Sequence, residues 1–278
     1  MQRIAFESNF NVNALRFATD RQTILVAGGY YKQRGELQVR RIADGALLHT
    51  ISTTDMLLQL AVLPRSGRLL SVDSMGTVYL WDSHTFADLR RFTIPAVLSS
   101  QTPSIANDER LVAFYTSVWQ LEDGSALGEL SHREQIARDI QKPTERLGQV
   151  WSHDGTWSAC TNRCDEQTMA PGGSPVILSH ADGTQFQTFA GPVDALSFLL
   201  VSPDDRALAA VYRTWYEQNS DNYQTWLRIW RVQSGELVLA RDLALEIDPT
   251  LHPYAWSPDG HQFAVSGFFG PVDIYQIP

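Results

Sequence analysis

Five polar residues stand at comparable places along the chain. Asn13, Gln59, Gln101 and His252 each precede a turn anchor by four positions, and Asp194 precedes Phe198 by four. Amide oxygens, a carboxylate and an imidazole are the groups that hold a cation or orient a small polar substrate, and Asp194 and His252 are the two that could move a proton. Calcium asks for about six to eight oxygen ligands, so one aspartate and three amides match it poorly. A polar lining filled with water is the expectation for this set. Cys160 and Cys164 are the only cysteines. No second Cys/His pair completes a zinc site around them, and one packed thiol and one loop thiol are expected. The chain lacks a Gly-rich phosphate loop, a Gly-x-Ser-x-Gly elbow and a His-Glu-x-x-His pair. No catalytic residue, metal ligand or cofactor is assigned.

A second set of residues suits recognition better than reaction. Trp215, Tyr216 and Tyr223 sit among Glu217, Gln218, Asn219, Asp221 and Asn222, while Tyr30-Tyr31 and Phe268-Phe269 occupy short turns elsewhere. Large rings that bury area and keep a polar handle dominate binding hot spots. Tyr30, Tyr31, Trp215, Tyr216, Tyr223, Phe268 and Phe269 are therefore the candidate contacts for a protein partner.

The elements that position both sets come from a repeat. An apolar run, a tight polar turn, a second apolar run, a third run near Trp or Tyr and a further turn come round six times. The first turns are anchored at Phe17, Leu63, Ile105, Trp151, Val201 and Trp256, between 42 and 55 residues apart. That period suits one four-stranded propeller blade. The third runs, among them Val78-Tyr-Leu-Trp81 and Val272-Asp-Ile-Tyr275, alternate and are rich in β-branched and aromatic residues, as strands are. Four repeats then turn at Asp44-Gly45, Asp123-Gly124, Asp182-Gly183 and Ser234-Gly235, where glycine permits the positive φ of a tight hairpin. Ser152, Asp154, Ser257 and Asp259 are expected to accept backbone hydrogen bonds in the first turns.

With these runs and its Ser-Pro-Asp-Gly turns, the chain resembles the WD40-like β-propellers, in the style of bacterial WD40 and TolB-like repeats. Trp81-Asp82 is its one Trp-Asp dipeptide. The resemblance implies an all-β, single six-bladed propeller forming one domain over residues 1–278, and a scaffold that binds proteins. In such folds the connections between blades and the turns between second and third strands emerge on one top face. The insertions 131–142, 162–175 and 213–226 would then cluster there with the aromatic set, around a channel mouth ringed by Asn13, Gln59, Gln101, Asp194 and His252. The alternative is a lactonase-like, metal-dependent or small-molecule enzyme or sensor at that mouth.

The last repeat stops after its third strand, and the chain opens with the unassigned run Gln2-Arg-Ile-Ala-Phe-Glu7. This run is expected to supply the outer strand of the last blade, which would hide an open sheet edge. The formal charge is −9, from 22 basic and 31 acidic residues, with no basic stripe, so nucleic acid is not an expected partner. No run approaches the roughly 18 apolar residues of a membrane span. A cytoplasmic protein, open to membership of a larger assembly, is expected.

Overall fold

The computed structural model describes residues 1–7, 9–30, 33–98, 102–114, 116–131, 145–147, 149–161, 175–190, 195–214, 225–243, 253–267 and 270–278. Its strands follow the predicted runs. A first strand, β1 (Gln2–Ile4), precedes blade one: β2 (Phe10–Phe17), β3 (Thr23–Tyr30), β4 (Gly35–Arg41) and β5 (Leu47–Thr53). Blade two is β6 (Leu57–Leu63), β7 (Arg68–Asp73), β8 (Thr77–Asp82) and β9 (Asp88–Thr93). Blade three is β10 (Pro103–Ile105), β11 (Leu111–Phe114), β12 (Ser117–Gln120) and β13 (Ala126–Glu129). After β14 (Glu145–Leu147) come blade four, β15 (Gln149–Trp151), β16 (Trp157–Thr161), β17 (Val176–His180) and β18 (Gln185–Phe189), and blade five, β19 (Ala195–Val201), β20 (Ala207–Thr214), β21 (Thr225–Arg231) and β22 (Leu237–Leu243). Blade six is β23 (Tyr254–Trp256), β24 (Gln262–Ser266) and β25 (Val272–Gln276).

Within each blade consecutive strands pair antiparallel. The fold is all-β, with six blades, and β1 completes the sixth by pairing antiparallel with β25. Arg3 fastens this closure through a two-pronged contact with Asp273, at 2.7 and 2.8 Å, and the Gln2 amide donates to the Ile42 carbonyl of blade one. The chain forms two compact units. One holds residues 1–141, 250–258 and 263–275, and the other residues 142–249, 259–262 and 276–278.

Strand periodicity divides the core. Side chains alternate between the two faces of a sheet, so β3 sends Ile24 and Val26 into a cluster with Ile4, Val272 and Ile274 of blade six. Its intervening residues, Leu25 and Ala27, join Leu57, Leu60 and Leu69 of blade two. In the second unit Val150, Ala159 and Leu178 of blade four pack with Leu199, Leu208 and Trp230 of blade five. Outer strands face water on one side, and β5 is exposed along most of its length.

Two features depart from the expected pattern. The strand β14, which lies in the connection between blades three and four, pairs with β19 and makes blade five a five-stranded sheet. In blade five the edge beside the first strand β19 is therefore taken by β14. The two cysteines were expected as one packed and one loop thiol, whereas Cys160 is disulfide-bonded.

The first turns behave as their composition requires. Ser152 Oγ accepts the Trp157 N–H and Asp154 accepts the Thr156 N–H, while Asp259 accepts the His261 N–H. Blade two, which carries Trp81-Asp82, has a buried polar pair of its own: Trp81 donates to Ser71 and the Tyr79 hydroxyl to Asp73. Burial and that bond to Asp73 push the Tyr79 hydroxyl up to about 12.

Candidate functional site

Backbone and side-chain contacts show which connections share an end of the blades. Tyr30, at the turn after β3, donates its hydroxyl to Glu7 in the segment entering blade one, at 2.8 Å. The Ser74 N–H, in the turn after β7, donates to Met56 in the connection entering blade two. Ile94, leaving blade two, donates to Gly76 of that same turn, and Leu130, leaving blade three, donates to Thr116 after β11. In blades one to three, second-to-third-strand turns and between-blade connections therefore lie at one end, as the sequence leads one to expect.

At blade one a polar ladder runs along β4 from this end towards the turn at Gly45. Glu36, Gln38 and Arg40 alternate along β4 and so share a face. Glu36 is 5% exposed and its carboxylate accepts from Arg34 and from Gln38, at 3.1 and 2.8 Å; Gln38 accepts in turn from Arg40. The Arg40 guanidinium lies 4.4 Å from the centroid of the Phe6 ring, and burial draws it below the usual arginine value. Phe6 stacks on Phe10, which meets Tyr30 edge-on. Buried charges are tolerated when paired and hydrogen-bonded in this way.

Tyr30 belongs to this packing. It is 8% exposed, and burial, followed by the bond to Glu7, raises its hydroxyl above the ordinary tyrosine value. The other proposed contacts, Tyr31, Trp215, Tyr216, Tyr223, Phe268 and Phe269, lie outside the described residues, as does most of each long insertion. Met75 escapes the sequence reading. It sits in the turn after β7 and is 61% exposed at the same end, and its signal is an apolar residue inside the tight turn Ser74-Met75-Gly76.

Asn13 and Gln59 are both buried on first strands. Gln101, Asp194 and His252 lie outside the described residues. A bulge sets the Asn13 position: Val12 pairs with Gly28 and Ala14 with Ala27, leaving Asn13 as the extra residue. Its amide nitrogen donates to the Leu57 carbonyl at 2.7 Å, joining the first strands of blades one and two. Asn11, two residues earlier, directs its amide nitrogen to the Met56 sulfur at 3.7 Å. The side-chain oxygens of both asparagines accept no hydrogen bond from the described protein. A buried acceptor left without a donor costs about 1–3 kcal/mol. Asn11 was also legible, as a second asparagine in an otherwise largely apolar strand. Among the described residues no three His, Cys, Asp or Glu side chains gather to hold a metal.

No family model and no curated protein matches this chain. Solved structures do. The β-propeller domain of Cps50 (Swd1) from Myceliophteria thermophila aligns over 100% of both chains, with 10% identity and a TM-score of 0.55. Hydrazine synthase of Kuenenia stuttgartiensis aligns over 99% of this chain and 78% of its own, with 12% identity and a TM-score of 0.49. The fold is that of a six-bladed β-propeller.

Proposed function

We propose that residues 1–278 work as one WD40-like propeller domain and serve as a non-catalytic platform that binds a partner protein. The binding end is the one where second-to-third-strand turns meet the between-blade connections, and that shared end is the observation that carries the reading. On this reading the turns bearing Tyr31, Trp215, Tyr216, Tyr223, Phe268 and Phe269 would take the same class of position as exposed Met75. Aromatic anchors with a polar surround are the chemistry of a protein hot spot. Tyr30 and its ladder would hold the blade-one turn in shape, and the acidic balance disfavours nucleic acid.

The test is a pull-down from native extract with wild type and with the Trp215→Ala, Tyr216→Ala double variant, followed by titration of the purified partner. Equal melting temperatures with binding weakened at least tenfold support the platform. Equal binding by both proteins removes these side chains from it.

A second reading rests on the unpaired Asn11 and Asn13 oxygens, which suit a cation or a donor-bearing small molecule in a lactonase-like sensor or enzyme. Calcium should then raise the melting temperature of wild type and not that of Asn13→Ala. No described helix is long and apolar enough to cross a membrane. The Cys160 disulfide favours an oxidising compartment over the cytoplasm, because disulfides persist in oxidising surroundings. Reaction of the native protein with a thiol reagent before any reduction would restore the cytoplasmic placement.

A further inference from the structure

The turn after the third strand is built alike in four blades, and blade two alone fills it differently. In each, an N–H reaches back four residues to a carbonyl: Gly45 to Arg41, Phe86 to Asp82, Gly124 to Gln120 and Gly235 to Arg231. The donor residue has φ of 74°, 57°, 74° and 73° respectively, a region that glycine enters freely and a side chain enters under strain. At the three glycines the adjoining space is already occupied. A Cβ would stand 3.3 Å from Ile4 at Gly45, 2.6 Å from Phe92 at Gly124 and 2.5 Å from Gln187 at Gly235. In blade two Phe86 takes the equivalent place, stacked on His49 of β5 with centroids 4.8 Å apart and planes 19° apart.

Beside that ring pair is a cavity of about 480 Å³, within the range of small-molecule sites. Its floor is aliphatic, from Leu25, Val39, Val62 and Leu69. Its rim is polar, with Thr19, Asp20, Ser83 and His84. The Asp20 carboxylate is held in place by the Gln22 and Thr23 N–H groups, and Ser83 bonds to His84. Among the described residues no lysine or arginine lines the cavity, so an anion would meet a carboxylate and no counter-charge. An aromatic wall, an apolar floor and a rim of hydroxyl, imidazole and carboxylate groups fit a flat molecule with a hydrogen-bonding edge. Backbone strain kept at a cleft is a pointer to function.

We propose that this cleft is a binding site for an uncharged, planar heteroaromatic molecule of about nucleoside size. The stacked His49 and Phe86 present the face for its ring, Leu25 and Val62 contact its apolar body, and Thr19 and Asp20 meet its polar edge. The site is independent of the partner-binding end.

Adenosine, cytidine and indole, titrated into the full chain and followed by saturation-transfer NMR, test it, with AMP as the charged control. At least one neutral probe should bind saturably, and adenosine should bind at least tenfold more tightly than AMP if it is the one that binds. Phe86→Gly, which removes the ring and relieves the backbone, should weaken binding at least tenfold while the melting temperature stays within a few degrees. His49→Ala, on an exposed strand, should weaken it similarly. No saturable binding by any neutral probe, equal binding of AMP, or binding that survives both substitutions would overturn the proposal.

Discussion

Glu109 of blade three and Asp205 of blade five occupy the same place in their first turns and make the same kind of link, with different reach. Both have a left-handed backbone, φ 55° and 58°. The Glu109 carboxylate accepts the N–H groups of Arg65 and Ser66, at 2.9 and 2.7 Å, and the Ser66 hydroxyl. Its own carbonyl takes Arg68. The shorter Asp205 accepts the N–H groups of His153 and Asp154, at 2.7 and 3.1 Å, with the His153 ring 2.9 Å away. Each acid thus fastens the first turn of the preceding blade. Glu109 is 5% exposed, while the Asp205 side chain is 17% exposed. The corresponding residue is Arg21, Gly67, Glu109, Gly155, Asp205 and Gly260 in blades one to six, so charged residues and glycines alternate. Neighbouring acids divide the work: Asp108 and Asp204 cap their own turns through Arg110 and Arg206, and the next residue, turned by its positive φ, reaches outward.

The comparison sets an order of effects. Glu109→Ala should lower unfolding free energy by about 2–4 kcal/mol, since it strands several donors that bond a charged group. Asp205→Ala should cost about 1–2 kcal/mol, because its donors lie nearer water. Denaturant titration of the two variants checks this, and a larger loss at Asp205 would break the comparison. Glu109→Gly should retain about 1 kcal/mol more stability than Glu109→Ala, the difference being the strain of a side chain at positive φ. Gly155→Ala, in the turn that Asp205 fastens, should cost about 1 kcal/mol, because its Cβ would enter open space and meet only that strain.

The smallest effect is in acid. The N–H of Thr156, then the Ser152 and Thr156 hydroxyls, hold Asp154 below its ordinary value of 3.8. A lowered folded-state value means that the contribution is complete above the unfolded value and is lost as pH falls through the folded one. Wild type should lose slightly more stability below about pH 4 than Asp154→Asn does. Blade two has Ser66 at the matching position, so no equivalent acid response is expected from Ser66. Parallel acid titrations of the two proteins would remove this distinction.

Much of the scaffold was legible because it depends on short-range pattern. Alternation announced β4, β8 and β25, and short side chains announced the first turns. The spare run at residues 2–7 announced the closing strand, since a blade of three strands needs a fourth. Less of the site was legible. Tyr30 reads as an exposed aromatic beside Tyr31, yet Glu7, distant in sequence, takes its hydroxyl. The missing glycine at Phe86 was visible against Gly45, Gly124 and Gly235, but the cleft that receives its ring was not. Nothing in the composition of Glu145–Leu147 names β19 as its partner.

The sequence by itself determined six antiparallel blades, their order, the contribution of β1 to the last one and the turn acids, because strand period, turn chemistry and repeat spacing act over a few residues. Tertiary structure alone decided that β14 joins blade five, that Glu109 and Asp205 reach into the preceding turn, and that the space beside Phe86 stays open where Ile4, Phe92 or Gln187 fills it elsewhere. Those outcomes depend on volume and reach between residues about thirty or more positions apart, and no local pattern encodes them.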